Sequence, residues 1–268
     1  MITPSGGLVY HARALRGLDL WFPTRRLVSC WLENWLLSCK PEHLIVFGPS
    51  AGYLFEPGSF LPAGLKHLTL VEPDPLAKPL FHLRHIRAKW HHPGPQPHVT
   101  WHPSSKLLPH TSRRETDFAD FLSEASGSNP HKTAVFFSGL LGQLEFHRKS
   151  FRRDEFLARK IFATSLKPFS WASLHDLESK ALARTERKGL LSLTLKDDPS
   201  NRLPFELPAE ALQNQTLRIE WLEAQLKSAN SAATWIDHGT EWLGPTRAAA
   251  LWFLNKRQLQ VLGFTTSS

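Results

Sequence analysis

The chain has 268 residues, with 32 Lys and Arg against 24 Asp and Glu, 41% hydrophobic residues and 21% charged ones. That balance describes one large globular domain with small additions at most, able to bury a substantial core, and excludes a disordered tail protein. Cys30 and Cys39 are too few for a disulfide framework or a zinc ribbon, so a reducing, cytoplasmic setting and no metal are expected.

The stretch Met1 to Gly7 lacks the basic start and apolar run of a signal peptide, and no run of about 18 apolar residues occurs anywhere, so no membrane partner is expected. A net charge of +8 favours anionic partners in general, but the basic residues are spread along the chain. Nucleic acid is therefore the weaker partner reading.

Taken in chain order, Thr24 caps a predicted helix in which Leu27, Trp31 and Trp35 recur at i+4 spacing, ending before Pro41. Leu44 to Phe47 is a buried strand closed by Gly48, and Leu68 to Val71 a second one closed by Glu72 and Pro73. Asp74 and Pro75 open a helix that Pro79 delays or bends. A loop over 91–97 leads to a third strand at His98 to Trp101, a helix follows from Asp117 to Glu124, and Thr133 to Phe137 is a fourth strand. Phe151 to Ser165 has helical spacing, and Phe169 to Leu174 reads as extended.

Farther on, Leu190 to Leu195 alternates like a strand and Pro208 to Ser228 contains a helix. Ala233 to Ile236 and Ala250 to Leu254 are candidate strands, and Gln258 to Phe264 a final edge strand. The order predicts a three-layer α/β sandwich with a mostly parallel sheet, antiparallel C-terminal strands and an N-terminal helical extension. We divide it as 1–42 for the extension and 43–268 for the Rossmann-like domain.

The most informative segment runs from His43 to Leu54, where Gly48-Pro49-Ser50-Ala51-Gly52 follows a buried strand directly, and the next strand ends in Glu72. Glycines let a backbone approach a nucleotide, and a carboxylate about 20 residues on can accept both hydrogen bonds of a ribose diol. The segment resembles the first motif of the class I S-adenosylmethionine-dependent methyltransferases, an acid followed by G-x-G-x-G. Gly48 and Gly52 match its outer glycines, Ser50 replaces the middle one, and Val46 stands where the acid is usual.

The resemblance covers residues 43–143. It implies S-adenosylmethionine as cofactor, shaped by Gly48, Pro49, Ser50, Ala51 and Gly52, held at its ribose by Glu72, and neighboured by Ser138 in the loop after the fourth strand. It also implies methyl transfer to an acceptor, small or macromolecular, that the sequence does not name. Against a full match, Pro57, Gly58 and Pro62 interrupt the helix that should follow the turn, and no acid lies within His98 to Lys106, where the family often contacts the adenine, with Ser104 and Ser105 as the available polar groups. The alternatives are a degenerate or non-catalytic nucleotide-binding module of the same fold and a Rossmann-type protein of the motility-associated glycosyltransferase group, which the same residues also resemble.

Two His/Asp pairs, His175-Asp176 and Asp237-His238, each follow a predicted strand and supply candidate bases for acceptor deprotonation. Loop histidines bonded to nearby backbone are the competing reading. His82, His85, His91, His92, His98 and His102 read as a solvated basic face, and His147, Arg148, Lys149, Arg152 and Arg153 as a solvated helix face rather than a phosphate track.

Overall fold

The computed structural model describes residues 7–56, 61–62, 64–86, 97–103, 117–127, 129–139, 154–182, 206–226, 235–255 and 258–267. The strands are β1 (His43–Phe47), β2 (His67–Val71), β3 (His98–His102), β4 (Thr133–Ser138), β5 (Ser170–Ala181), β6 (Ile236–Asp237), β7 (Thr246–Asn255) and β8 (Gln258–Thr266). The helices are α1 (Gly7–Cys39), α2 (Ala77–Phe81), α3 (Asp117–Ser126), α4 (Asp154–Leu166), α5 (Ala209–Leu212) and α6 (Gln215–Leu226), with a π turn over His82–Ile86 extending α2.

Among the described residues the strands form one sheet in the order β3-β2-β1-β4-β5-β8-β7, with β6 added to β5. The pairs among β1 to β5 are parallel, whereas β8 runs antiparallel to both β5 and β7. This is a doubly wound α/β sheet whose strand order reverses between β1 and β4. Both faces of the central strands are covered, which is why Leu44 to Phe47 is apolar without alternation.

On one face Leu44, Val46, Leu70 and Phe136 pack with Trp31, Leu32, Trp35 and Leu36 of α1. On the other, Ile45, Phe47 and Phe137 meet Phe118 and Phe121 of α3 and Phe162 of α4. Beyond β5, Ala211 of α5 and Leu222 of α6 pack over Leu251, Phe253 and Val261.

Helix α1 is longer than its periodicity predicts, because it runs through Pro23 and Thr24 back to Gly7. Thr24 does not cap it. Its hydroxyl instead donates to the Leu251 carbonyl at 2.9 Å, and the Trp21 indole N–H donates to the Phe253 carbonyl at 2.7 Å. Leu207 N–H reaches the Ala249 carbonyl at 2.9 Å, and the Gln213 amide donates to that of Thr246. Four carbonyls along the outer side of edge strand β7 are thus satisfied without another strand, which blunts a surface open to intermolecular pairing. Trp21 also meets Trp252 edge-on with ring centroids 5.1 Å apart, so two of the chain's ten tryptophans join α1 to this edge.

Several other expectations need correction. Gln258 to Phe264 is not an edge strand, since β8 inserts between β5 and β7 and leaves β7 outermost. Strand β5 extends well past Leu174, because β8 and β6 pair its outer half after β4 has ended. The helix at Asp74 begins only at Ala77, since the Asp74 carboxylate accepts the Leu76 N–H at 2.9 Å in a turn of its own. The described part of the predicted helical stretch, through Leu226, holds two helices, α5 and α6. The predicted strand at 190–195, Ser104, Ser105 and the basic group at 147–153 lie outside the described residues.

Candidate functional site

The glycine turn leaves the carboxyl end of β1. Gly48, Ser50 and Gly52 all adopt left-handed backbone, with φ of 66°, 50° and 68°. A non-glycine residue is strained there, and Ser50 holds the conformation because its N–H is fixed on the Glu72 carboxylate at 2.8 Å. No regular helix follows before residue 57: Gly52 N–H bonds Pro49 and Phe55 N–H bonds Gly52 in successive turns.

Gly52 has a packing reason as well. A Cβ built on it would meet the His85 imidazole at 2.2 Å, and His85 accordingly sits against the Gly52 carbonyl at 3.2 Å, stacked on Phe81. The solvated role expected for His85 is wrong, as it is fully buried, and burial pushes its pKa down to about 4. The last glycine of the motif therefore admits a helix close to the turn, one of the roles such a glycine serves in dinucleotide folds.

Glu72 follows β2 at the same edge. One of its oxygens accepts the Ser50 N–H and the other the Asp74 N–H at 3.0 Å. Burial raises its pKa, and these two N–H groups oppose the rise. Ser138, the last residue of β4, is buried, and lies one position past the Phe47–Phe137 register pair, so Gly48 and Ser138 flank the crevice where the strand order reverses. Ligands of open α/β sheets bind outside the strand ends at this place.

The first turns of α1 reach the same edge. Asp74 Oδ2 accepts the Gly7 N–H at 2.6 Å and lies 3.2 Å from His11 Nε2, while His11 Nδ1 is 2.8 Å from the Tyr53 hydroxyl. Tyr10 packs edge-on against His11 and Tyr53, with Ser50 as its hydrogen-bonding neighbour. Burial raises the Tyr10 pKa, and that of Tyr53 to about 12. Burial pushes Asp74 upward too, but the Gly7 and Leu76 N–H groups and His11 outweigh it and leave its pKa low. Sequence reading missed Tyr10, His11 and Tyr53, because no local pattern links positions 42 and 63 residues apart.

The outer half of β5 carries the remaining candidates beyond the end of β4. Asp176, paired with Leu262, lies by alternation on the α1 face; desolvation alone raises its carboxyl from 3.8 to about 7. His175 lies on the opposite face, its Nδ1 3.2 Å from the Ser173 hydroxyl, and burial lowers its pKa to about 4. His238 is brought alongside by its backbone N–H on the Leu177 carbonyl, with its ring Nε2 3.0 Å from the Ser179 hydroxyl. Asp237 is exposed, and its carboxylate caps the Gly239 N–H at 2.8 Å.

This half-strand is anchored. Glu178 is gripped by the Arg218 guanidinium of α6, with Nε 2.7 and 2.9 Å from its two oxygens, and buried Lys180 pairs with Glu223 at 2.7 Å. Cavities open elsewhere among the described residues. One of about 640 Å³ lies at the amino ends of β1 and β2, beside His43, Lys66, His67 and Glu124, and one of about 320 Å³ lies between Arg218, Asp237 and Glu241. Among the described residues no group of three or more His, Cys, Asp or Glu has metal-holding geometry, and no helix is long and apolar enough to cross a membrane.

No protein-family model matches the chain, and no curated protein does. Among solved structures it is similar to the O-methyltransferase TomG of Streptomyces achromogenes, involved in tomaymycin synthesis and solved in complex with SAM. The identity is 13% over 90% of this chain and 79% of that one, with a TM-score of 0.35. It is also similar to CrArsM, an arsenic(III) S-adenosylmethionine methyltransferase from Chlamydomonas reinhardtii, at 10% identity over 83% of this chain and 62% of that one, with a TM-score of 0.32.

Proposed function

We propose that the chain binds S-adenosylmethionine at the crevice between β1 and β4 and transfers its methyl group to an acceptor at the carboxyl edge of the sheet. The observation that carries this reading is the left-handed Gly48–Gly52 turn locked onto Glu72 at the switch point. The residues fit the group. Each Glu72 oxygen accepts one N–H here and has capacity for a second donor, as a ribose diol requires. The turn's backbone, with Pro49 and Ala51, would line the cofactor, and Ser138 would flank it.

When bound, the cofactor supplies an electrophilic methyl group. The chain's part is orientation, exclusion of water and removal of the acceptor proton. We assign the base to Asp176, which lies on the α1 face two residues past the Ser138–Leu174 register pair and whose buried carboxyl, titrating at about 7, is matched to neutral pH. His175, held neutral on the other face, and His238, engaged with Ser179, are less suited to it. Asp237 in its turn would sit at the rim.

A second reading, a non-catalytic module of the same fold, is favoured by the seating of Gly7, Tyr10 and His11 over the turn. Calorimetry with S-adenosylhomocysteine decides between binding and an empty scaffold. Wild-type protein is expected to bind, and Glu72→Gln to bind at least about tenfold more weakly through loss of charge-assisted hydrogen bonds. No heat at millimolar ligand would overturn the cofactor reading.

A further inference from the structure

Helix α1 is held in two different ways along its length. From Ala14 onward its inner face is buried in the apolar core through Trp21, Val28, Leu32 and Leu36. At its start Leu8 is 71% exposed, and the attachment combines polar contacts, Gly7 N–H and His11 on Asp74 and His11 on the Tyr53 hydroxyl, with the Tyr10 ring packed on Tyr53. Gly17, whose missing side chain leaves room for the Trp21 ring, lies one turn into the buried part and weakens the helix near the junction.

The polar attachment uses groups belonging to the ligand edge. Asp74 is bonded through its backbone N–H to Glu72, Tyr53 follows Gly52 directly, and Tyr10 neighbours Ser50 within the electrostatic reach of Glu72 and Asp74. The start of the helix thus stands over the groups to which the cofactor reading assigns the ribose.

We infer that the first turns of α1 are a latch on the cofactor site, with the His11–Asp74–Tyr53 contact as its catch, so that a ligand enters only when these turns lift. The latch is a regulation of the site proposed above and rests on that reading for the identity of its ligand. Lifting these turns draws the Tyr10 ring off Tyr53 but leaves the apolar attachment from Ala14 onward in place.

The test uses His11→Phe, which keeps ring volume and removes both contacts, and Asp74→Asn, which removes the charge, each in the full chain. Hydrogen exchange without ligand reads the catch directly. Amides of Leu8 to Arg13 and of Gly48 to Tyr53 are expected to exchange about tenfold faster in both variants, the loss of a hydrogen-bonded contact of ordinary strength, with Leu44 to Phe47 unchanged.

Stopped-flow binding of S-adenosylhomocysteine should show a matching rise in association rate. Unchanged protection of the turn in both variants would overturn the latch whatever the ligand does, as would equal association rates in wild type and variants. Faster exchange at the turn with no S-adenosylhomocysteine bound by any form would support the latch and refute the cofactor reading alone. Should His11→Phe lose protection throughout, Asp74→Asn decides.

Discussion

Asp176→Asn separates a strained functional carboxyl from an ordinary structural one. In the folded protein the Asp176 pKa rises from 3.8 to about 7 because burial disfavours the anion. The folded state therefore keeps a proton that the unfolded state releases, and the Asp176 contribution to stability falls as pH rises from about 4 to 7 before levelling. At 1.36 kcal/mol per pKa unit the full penalty is about 4 kcal/mol above pH 7, and about 2 kcal/mol of it is already present at pH 5.

Asparagine is nearly isosteric with the protonated acid and cannot ionise. Its amide has its own solvation cost, but that cost is independent of pH and cancels when two pH values are compared. Urea unfolding of both proteins at pH 5 and pH 8 should therefore show the variant gaining about 2–3 kcal/mol on wild type between them. A gain independent of pH would refute the burial argument. A methyl-transfer assay on the same variant asks the other question: a stabilised protein with activity reduced by two or more orders of magnitude fits a strained base, and full activity would remove Asp176 from the chemistry.

Gly52→Ala combines a left-handed φ of 68° with a contact of 2.2 Å to His85, and should destabilise by about 2–4 kcal/mol in urea unfolding. Thr24→Val leaves the Leu251 carbonyl without its donor at the sheet edge, and a loss of about 1–3 kcal/mol is expected by the same measurement. Arg218→Ala strands the buried Glu178 carboxylate and should cost about 3–5 kcal/mol, read as a lowered thermal midpoint. His43, His85 and His175 are each held near a pKa of 4, chiefly by burial, so the unfolded chain takes up protons below about 6.5 that the native state refuses. Stability from these three is complete above that value and lost as pH falls toward 4; it outweighs the opposite slope of Asp176, so the urea midpoint should drop between pH 6.5 and pH 4.5.

What was legible in the sequence follows the range of the forces involved. Apolar runs such as Leu44 to Phe47 and Thr133 to Phe137 are local consequences of burial on both faces, and they place the turn at Gly48 and the acid at Glu72 without any knowledge of distant contacts. The order of the last strands was not legible, because whether β8 or β7 lies outermost depends on pairing over some 90 residues, from Ala172 to Thr266. Pro23 hid the first half of α1 for a related reason. Local rules end a helix at proline, whereas here bonds from Trp21 and Thr24 to a strand more than 220 residues away hold the helix on both sides of it. The same limit governs the site. A motif shows where a nucleotide would meet the backbone, but the side chains that stand over it, Tyr10 and His11, come from a helix whose attachment is entirely tertiary. If a nucleotide binds beside Glu72 as proposed, its access would depend on contacts such as His11 with Asp74, 63 residues apart, which no local pattern encodes.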